Sequence, residues 1–323
     1  MSSPAGPRWG IAGYGDVVVR RALPAFAALS QEVAGIWGRR PERAAEVSRR
    51  LGAGRAFPGF AAMLDAVQAV YVATPVASHV PLASAALEAG RHVLVEKPLG
   101  GGLPYDRARL AAGPAGSPVS AVAYYRRLAP AWLAISELTR DRGPLRIAAS
   151  FRTAFAPGPG DPMYWRTVRE ISGGGVLADA GCHRLDILCW LLGPPLTSQA
   201  SLAGHFPGGA ERVARLELSW ADGSRARVSC EWTESGQARD SVRITGRDLD
   251  IRLPSIDAGT MSVRTGGVMS RRELPPEANP LVPVLRDFLS CVATGRQPAC
   301  SLADAMTVDD VIRSAAAGTT PER

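Results

Sequence analysis

Apolar positions along this chain keep two different rhythms, and the change of rhythm divides it. In the first hundred residues, short continuous apolar runs alternate with stretches of helical spacing. Arg8 to Ala12 reads as a buried strand, 16–29 as a helix and Val33 to Gly38 as a second strand. Ala69 to Val72 follows as another strand. A helix over His79 to Ala89 comes next, with Ser78 placed to cap it and Gly90 to stop it, and then a strand from His92 to Glu96. This alternation predicts a doubly wound α/β domain with a parallel sheet. After about Val122 the period changes to two. Ala214, Leu216, Leu218 and Trp220 alternate with polar residues, Asp222-Gly223 makes a turn, and Ala226, Val228, Cys230 and Trp232 alternate back. Val242/Ile244 and Leu249/Ile251/Leu253 add short strands. An α+β domain with a large, mainly antiparallel sheet is therefore expected over 123–323, after the α/β domain of 1–122.

Composition agrees with two globular domains: 323 residues, 46% hydrophobic and 21% charged. The longest apolar stretch, Ala69 to Ala77, is too short to span a bilayer, and the first ten residues lack the basic, apolar and cleavage-site regions of a leader. Five cysteines without CxxC spacing signal neither a disulfide framework nor a zinc site, so no metal is expected and the expected location is cytoplasmic. Net charge is +7, but the basic residues fall in scattered pairs such as Arg20-Arg21 and Arg271-Arg272. That distribution favours an anionic small molecule over nucleic acid, and no membrane partner is implied.

Of the 37 basic residues, every one is Arg except Lys97. A chain that uses guanidinium wherever a plain charge suffices has kept one ammonium, whose pKa can be tuned as that of Arg cannot. A leftover surface lysine is the bland alternative, and position argues against it. Glu96-Lys97-Pro98 and Thr74-Pro75 stand at the carboxyl ends of neighbouring predicted parallel strands, the edge where ligands bind in open α/β sheets. Upstream, Gly13-Tyr14-Gly15-Asp16-Val17-Val18 joins the first strand to the first helix. Gly13 permits the tight turn, and Gly15 lets the backbone approach a pyrophosphate at the helix N-terminus near Asp16 and Val17. Val18 takes a place that is usually small, which implies looser strand–helix packing. The second strand ends in Arg39-Arg40, where an NAD site carries an acidic residue; guanidinium there suits a 2′-phosphate, so NADP(H) is expected, with NAD(H) possible. The competing reading makes Arg39 and Arg40 the start of a solvated helix, with Pro41 in its first turn and Gly52 at its end.

Between the two halves, Ser172-Gly173-Gly174-Gly175 leads into a helix on which Asp179, His183 and Asp186 are spaced i, i+4, i+7 and share one face, with Leu185, Leu188 and Leu192 on the adjoining face. A carboxylate one turn before an imidazole can hold substrate hydroxyls while the imidazole exchanges a proton near neutral pH. The alternative is structural: Asp179 as a cap and His183 satisfied in a core.

These residues resemble the Gfo/Idh/MocA family, the oxidoreductases that include glucose–fructose oxidoreductase and inositol dehydrogenases. The resemblance rests on Gly13-x-Gly15 with Pro24-Ala25, Thr74-Pro75 with His79, Ala89-Gly90-Arg91-His92-Val93, Glu96-Lys97-Pro98, and Gly174-Gly175-x-Leu177-x-Asp179-x-Gly181-x-His183-x-x-Asp186. It continues through Thr294-Gly295 and Asp304-Ala305. Two residues depart from the family: Val76 stands where Asn commonly follows Thr-Pro, and Val18 is bulkier than usual. The resemblance implies a site between a Rossmann domain and an open-faced sheet domain. Lys97 would contact substrate hydroxyl and nicotinamide, Asp179 would position substrate, and His183 would accept or donate the proton. The Lys97-Pro98 bond would be cis. Gly13, Gly15, Asp16, Val17, Arg39, Arg40, Thr74, Pro75, His79, Glu96, Lys97 and Pro98 form the expected cofactor site, and Tyr125, Arg127, Trp165 and Arg166 join Asp179 as expected substrate contacts. The expected activity is NAD(P)-dependent hydride transfer at a hydroxyl-bearing carbon of a sugar, cyclitol or similar polyol, in a homodimer or homotetramer formed through the open sheet face. Two alternatives stand beside it: an NADPH-dependent reductase of a nucleotide-linked keto-sugar, and a non-catalytic sensor of nicotinamide nucleotide.

Overall fold

The computed structural model describes residues 6–110 and 116–318. Its strands form two sheets, and the chain divides into two compact units. One comprises Met1–Leu99, Tyr105–Tyr125 and Glu277–Ala303; the other comprises Gly100–Pro104, Arg126–Pro276 and Asp304–Arg323. A cut after residue 122 does separate the two sheets. The units nevertheless exchange segments, because Glu277–Ala303 returns to the first and Gly100–Pro104 joins the second.

In the first unit, β1 (Trp9–Ala12), β2 (Val33–Trp37), β3 (Arg55–Ala56), β4 (Ala69–Val72), β5 (His92–Val95) and β6 (Ser120–Val122) lie parallel in the order β3-β2-β1-β4-β5-β6. Every residue of β1 and β4 is buried, which is why these strands read as unbroken apolar runs: a parallel sheet is covered on both faces. Trp9 anchors the core, with ring centroids 4.9 Å from Phe26 and 5.3 Å from Phe288. Phe288 comes from the helix Leu281–Thr294, so a late segment completes a core begun at residue 9. The helix after β1 starts from the Gly15 carbonyl, which accepts from the amides of Val18 and Val19 at 3.0 and 3.2 Å. Val18 is fully buried, and the helix widens there into an i→i+5 turn over Val18–Ala22.

In the second unit, β7 (Arg146–Ala154), β8 (Thr197–His205), β9 (Glu211–Ser219), β10 (Arg225–Thr233), β11 (Arg239–Gly246), β12 (Leu249–Leu253), β13 (Thr260–Thr265) and β14 (Val268–Glu273) run in the order β14-β13-β12-β11-β7-β10-β9-β8. All neighbours are antiparallel except β7 and β10. The predicted hairpin is β9–β10, with Leu218 opposite Ala226, Leu216 opposite Val228 and Ala214 opposite Cys230. Its turn places Gly223 at φ +84°, a left-handed conformation that suits glycine. Ile147, Ala149, Val242 and Ile244 of the sheet line one small apolar cavity together with Ile187 and Leu188 of the helix Cys182–Leu192. The five cysteines are buried free thiols. Among the described residues, no helix is long and apolar enough to cross a membrane.

Behind that helix Arg127, 3% exposed, is clasped by Asp186 at 2.7 Å and by Asp304 at 3.3 Å. Burial pushes the Asp186 carboxyl up to about 6, against the pull of Arg127. A carboxyl raised from 3.8 contributes stability that is complete below that value and is lost as pH rises through about 6. Arg127→Met leaves the carboxylate buried without this counter-charge, so we expect a loss of about 3–5 kcal/mol near neutral pH. The loss should shrink below about pH 6, where the carboxyl takes up a proton. Urea unfolding curves on the acid and neutral sides of that value check both the size and the sign.

Candidate active site

Five parallel strands of the first unit, β2, β1, β4, β5 and β6, end level with one another, and this brings their carboxyl-end residues together. The amide of Gly13 donates to Trp37 O, Ala73 N to Ala12 O, Glu96 N to Val72 O and Ala123 N to Val95 O, each at 2.8 Å. Gly13, Thr74-Pro75 and Glu96-Lys97-Pro98 therefore stand along one edge, as expected. Gly13 has φ +119°, and a Cβ there would lie 2.3 Å from the backbone oxygen of Ala73. Gly15 faces the other way: it is exposed, and a Cβ on it would meet nothing within 4 Å. The first glycine is required by the protein's own backbone, while the second opens onto free space at a helix N-terminus. The Thr74 hydroxyl is buried with no hydrogen-bond partner among the described residues. Open space at a helix start, a backbone free to be approached and an unanswered hydroxyl fit a dinucleotide.

Lys97 is half-buried and its bond to Pro98 is cis. It is held from both sides. Before it, the Glu96 carboxylate accepts from the Tyr71 hydroxyl at 2.5 Å and from the Lys97 amide at 3.3 Å. Burial, then the Glu96 charge, holds the Tyr71 pKa well above the ordinary phenol value, so the phenol keeps the proton it donates. After it, His79 is 1% exposed and bridges two carbonyls, with Nδ1 2.9 Å from Pro98 O and Nε2 2.7 Å from Thr74 O. Burial lowers the His79 pKa, while the two carbonyls pull it up. His79 and Glu96 were expected to touch the cofactor; their polar atoms instead fasten the two loops that carry Thr74 and Lys97.

Other expected contacts fall as follows. Asp16 is exposed and lies 3.6 Å from Arg20 on the solvent side, with Val17 half-buried beside it. Arg39 and Arg40 are exposed at the carboxyl end of β2, and Arg40 immediately precedes the helix Pro41–Leu51, which ends at Gly52 with φ +62°. Val76, in place of the family Asn, is buried and opens a short 3₁₀ turn, and no side-chain bond from Ser78 caps the helix His79–Glu88. Tyr125 is half-buried with the Arg21 guanidinium 5.9 Å from its ring centre. Arg127, expected at the substrate, is the buried partner of Asp186, and its guanidinium is committed there.

In the second unit the glycine loop packs against Glu211. A Cβ on Gly175 would lie 1.9 Å from the Glu211 backbone oxygen, and Gly174 has φ +141°. The buried Glu211 carboxylate accepts from Gly175 N at 2.7 Å and Leu177 N at 2.9 Å, at the start of the helical segment that bears Asp179 and His183. Burial raises its pKa, and those amides oppose the rise. The segment opens with a wide i→i+5 turn over Leu177–Gly181 before Cys182–Leu192 becomes α-helical, so the simple i, i+4, i+7 face is broken. Asp186 is fully buried and His183 nearly so. Asp179 is one-third exposed and lies 3.3 Å from Arg166, whose guanidinium stacks 4.8 Å from the ring centre of Trp165. Arg166, Asp179 and Trp165 thus form one cluster, with His183 four residues along the same chain segment.

Residues 7–105 match the model of an oxidoreductase family with an NAD-binding Rossmann fold, and residues 143–252 match the GFO/IDH/MocA C-terminal domain. The chain belongs to the Gfo/Idh/MocA family. A levoglucosan dehydrogenase of Pseudarthrobacter phenanthrenivorans is 31% identical over 54% of this chain and 48% of its own. A dTDP-3,4-didehydro-2,6-dideoxy-alpha-D-glucose 3-reductase of Streptomyces violaceoruber is 35% identical over 61% of this chain and 58% of its own. These matches span only about half of those relatives. The crystal structure of aldose-aldose oxidoreductase from Caulobacter crescentus, complexed with glycerol, superposes with a TM-score of 0.83 at 25% identity, covering 96% of each chain.

Tyr71 and Glu211 were not expected as parts of the site. A phenol inside the apolar strand AVYV had to find an acceptor, a signal the sequence did contain. Nothing around Glu211 announced its role. Gly13→Ala should cost about 1–3 kcal/mol of stability, since it meets backbone and holds a positive φ. Gly15→Ala should cost nothing and can gain a few tenths of a kcal/mol. Denaturant unfolding of both variants checks the contrast.

Proposed function

We propose that this chain is an NADP-preferring dehydrogenase or reductase that acts at a CH–OH carbon of a sugar, cyclitol or related polyol. The observation that carries the reading is the state of Lys97. It is the one lysine in a chain with 36 arginines, and it sits at the carboxyl edge of the parallel sheet with Glu96 pinned by Tyr71 before it and Pro98 pinned by His79 after it. Such anchorage suits an ammonium that must meet a reacting oxygen in one geometry. A nicotinamide dinucleotide, when bound, supplies the hydride acceptor or donor, and Gly13, Gly15, Thr74 and the start of the helix at Asp16 are the residues to hold it.

In the oxidative direction His183 takes the hydroxyl proton, and Lys97 donates a hydrogen bond to the same oxygen as alkoxide charge develops. Asp179 accepts from substrate hydroxyls, and Arg166, stacked on Trp165, keeps that carboxylate in place. In the reductive direction the proton flow reverses and the same residues serve. Reduction of a nucleotide-linked keto-sugar is the second reading, favoured by the 35% identity to a dTDP-keto-sugar reductase. A pure sensor of nicotinamide nucleotide would have no use for the Lys97, Asp179 and His183 set.

Absorbance at the nicotinamide band across a panel of sugars, cyclitols and nucleotide-linked keto-sugars tests the reading; nucleotide binding without turnover on every member would favour the sensor. On a turned-over substrate, His183→Asn should lose about 10²–10⁴ in rate, and a smaller loss removes it as the proton carrier. Lys97→Arg should keep nucleotide affinity while losing most turnover. A near-normal rate would show that any cation serves there. The pair Arg39→Ala and Arg40→Ala should weaken NADP far more than NAD, and equal weakening in titrations of the two would show that these guanidinium groups do not read the 2′-phosphate.

A further inference from the structure

Three glycines follow Lys97-Pro98-Leu99, and at Leu99–Gly100 the chain passes from the first compact unit into the second. A run of glycines has no side chain with which to fasten itself and loses the most conformational freedom on being ordered. This run is ordered nonetheless. Gly100 N donates to Asp309 Oδ2 at 2.7 Å, Gly101 N donates to Asp309 Oδ1 at 2.9 Å, and Gly102 N donates to Gly173 O at 2.6 Å. Gly101 holds φ +57°, and a Cβ on Gly102 would lie 2.9 Å from Gly173 O, so two of the three positions need glycine for the arrangement to form.

Asp309 belongs to the helix Leu302–Ala317 and is fully buried. The other carboxylates of that helix behave differently: Asp304 is 42% exposed, and Asp310 is 47% exposed and pairs with Arg313. A carboxylate is buried at a cost that only hydrogen bonds and charge partners offset. Here it spans two consecutive backbone amides of the segment that begins three residues after the chain's one lysine. Through Gly102 the same segment is bonded to Gly173, which opens the glycine loop leading to Asp179 and His183.

We infer that Asp309 is a positioning residue: by gripping Gly100 and Gly101 it fixes the segment that carries Lys97, and through the Gly102–Gly173 bond it steadies the loop that precedes Asp179 and His183. The functional consequence rests on the proposed role of Lys97, but the test need not. With a single lysine in the sequence, acetylation by acetic anhydride, read by peptide mass spectrometry so that the terminal amine is separated, reports the Lys97 amine alone.

Asp309→Asn keeps the shape but loses the charge and one of the two acceptors. In the folded variant, Lys97 should be acetylated several-fold faster than in the unaltered protein, because a loosened segment exposes a half-buried amine. Asp310→Asn, the same change on the solvent side of the same helix, should leave the labelling rate where it was. On any substrate turned over, Asp309→Asn should lower kcat by about 10² with nucleotide affinity kept, the cost of a small misplacement of a reacting group. Unchanged Lys97 labelling in a folded Asp309→Asn protein overturns the inference, whether or not a substrate has been found. If that variant does not fold, amide exchange in the unaltered protein decides. Slow exchange at Gly100 and Gly101 supports the clamp, and exchange at the rate of an open loop overturns it.

Discussion

Backbone amides in glycine-rich turns need acceptors, and in this protein buried side chains supply them. The residues that carry the proposed chemistry sit next to turns made of glycine because such turns let backbone approach backbone: Gly13 against Ala73, Gly175 against Glu211, Gly102 against Gly173. The same absence of side chains leaves these turns without anchors of their own. Glu211 binds the amides of Gly175 and Leu177, Asp309 those of Gly100 and Gly101, and His79 ties Thr74 O to Pro98 O. Each anchor is itself buried, so its polar atoms have few competitors in water, and each bond is stronger for that.

The arginine-rich composition has a related consequence inside the second unit. Arg127 with Asp186, and Arg184 with Asp240 at 2.6 Å, place guanidinium groups deep in the fold against acidic partners. These groups are fixed donors that hold helices to loops and strands, and they are not available to a ligand. Arg166 occupies a middle position: partly exposed, paired with Asp179 and stacked on Trp165, it positions the carboxylate proposed above to hold substrate. The same residue type therefore does structural and site work, and only its surroundings tell which.

Much of the architecture was legible in particular stretches. The unbroken apolar runs of β1, β4 and β5 announced strands covered on both faces, and the alternation around Asp222-Gly223 announced the hairpin with its register. β7, β8, β13 and β14 of the second sheet escaped notice, three of them for evident physical reasons. Much of β8 is small or polar, β14 is exposed along its whole length, and β7 lies between β10 and β11, a place that distant partners decide. The site showed the same division. Lys97 stood out by composition and by its place at a strand end, whereas Arg127 was misread, since a lone arginine after a strand looks the same whether it faces a ligand or Asp186, 59 residues away.

By itself, then, the amino-acid order determined the two sheet types, the glycine turns and the motif residues, because these follow from local period, backbone freedom and spacing. Tertiary structure alone decided which polar groups hold those turns. Glu211 lies 36 residues from Gly175, and Asp309 lies 209 residues from Gly100. No local pattern can pair groups at such separations. Their partnership follows from folding, which sets each of these two buried carboxylates against backbone amides that lack other acceptors.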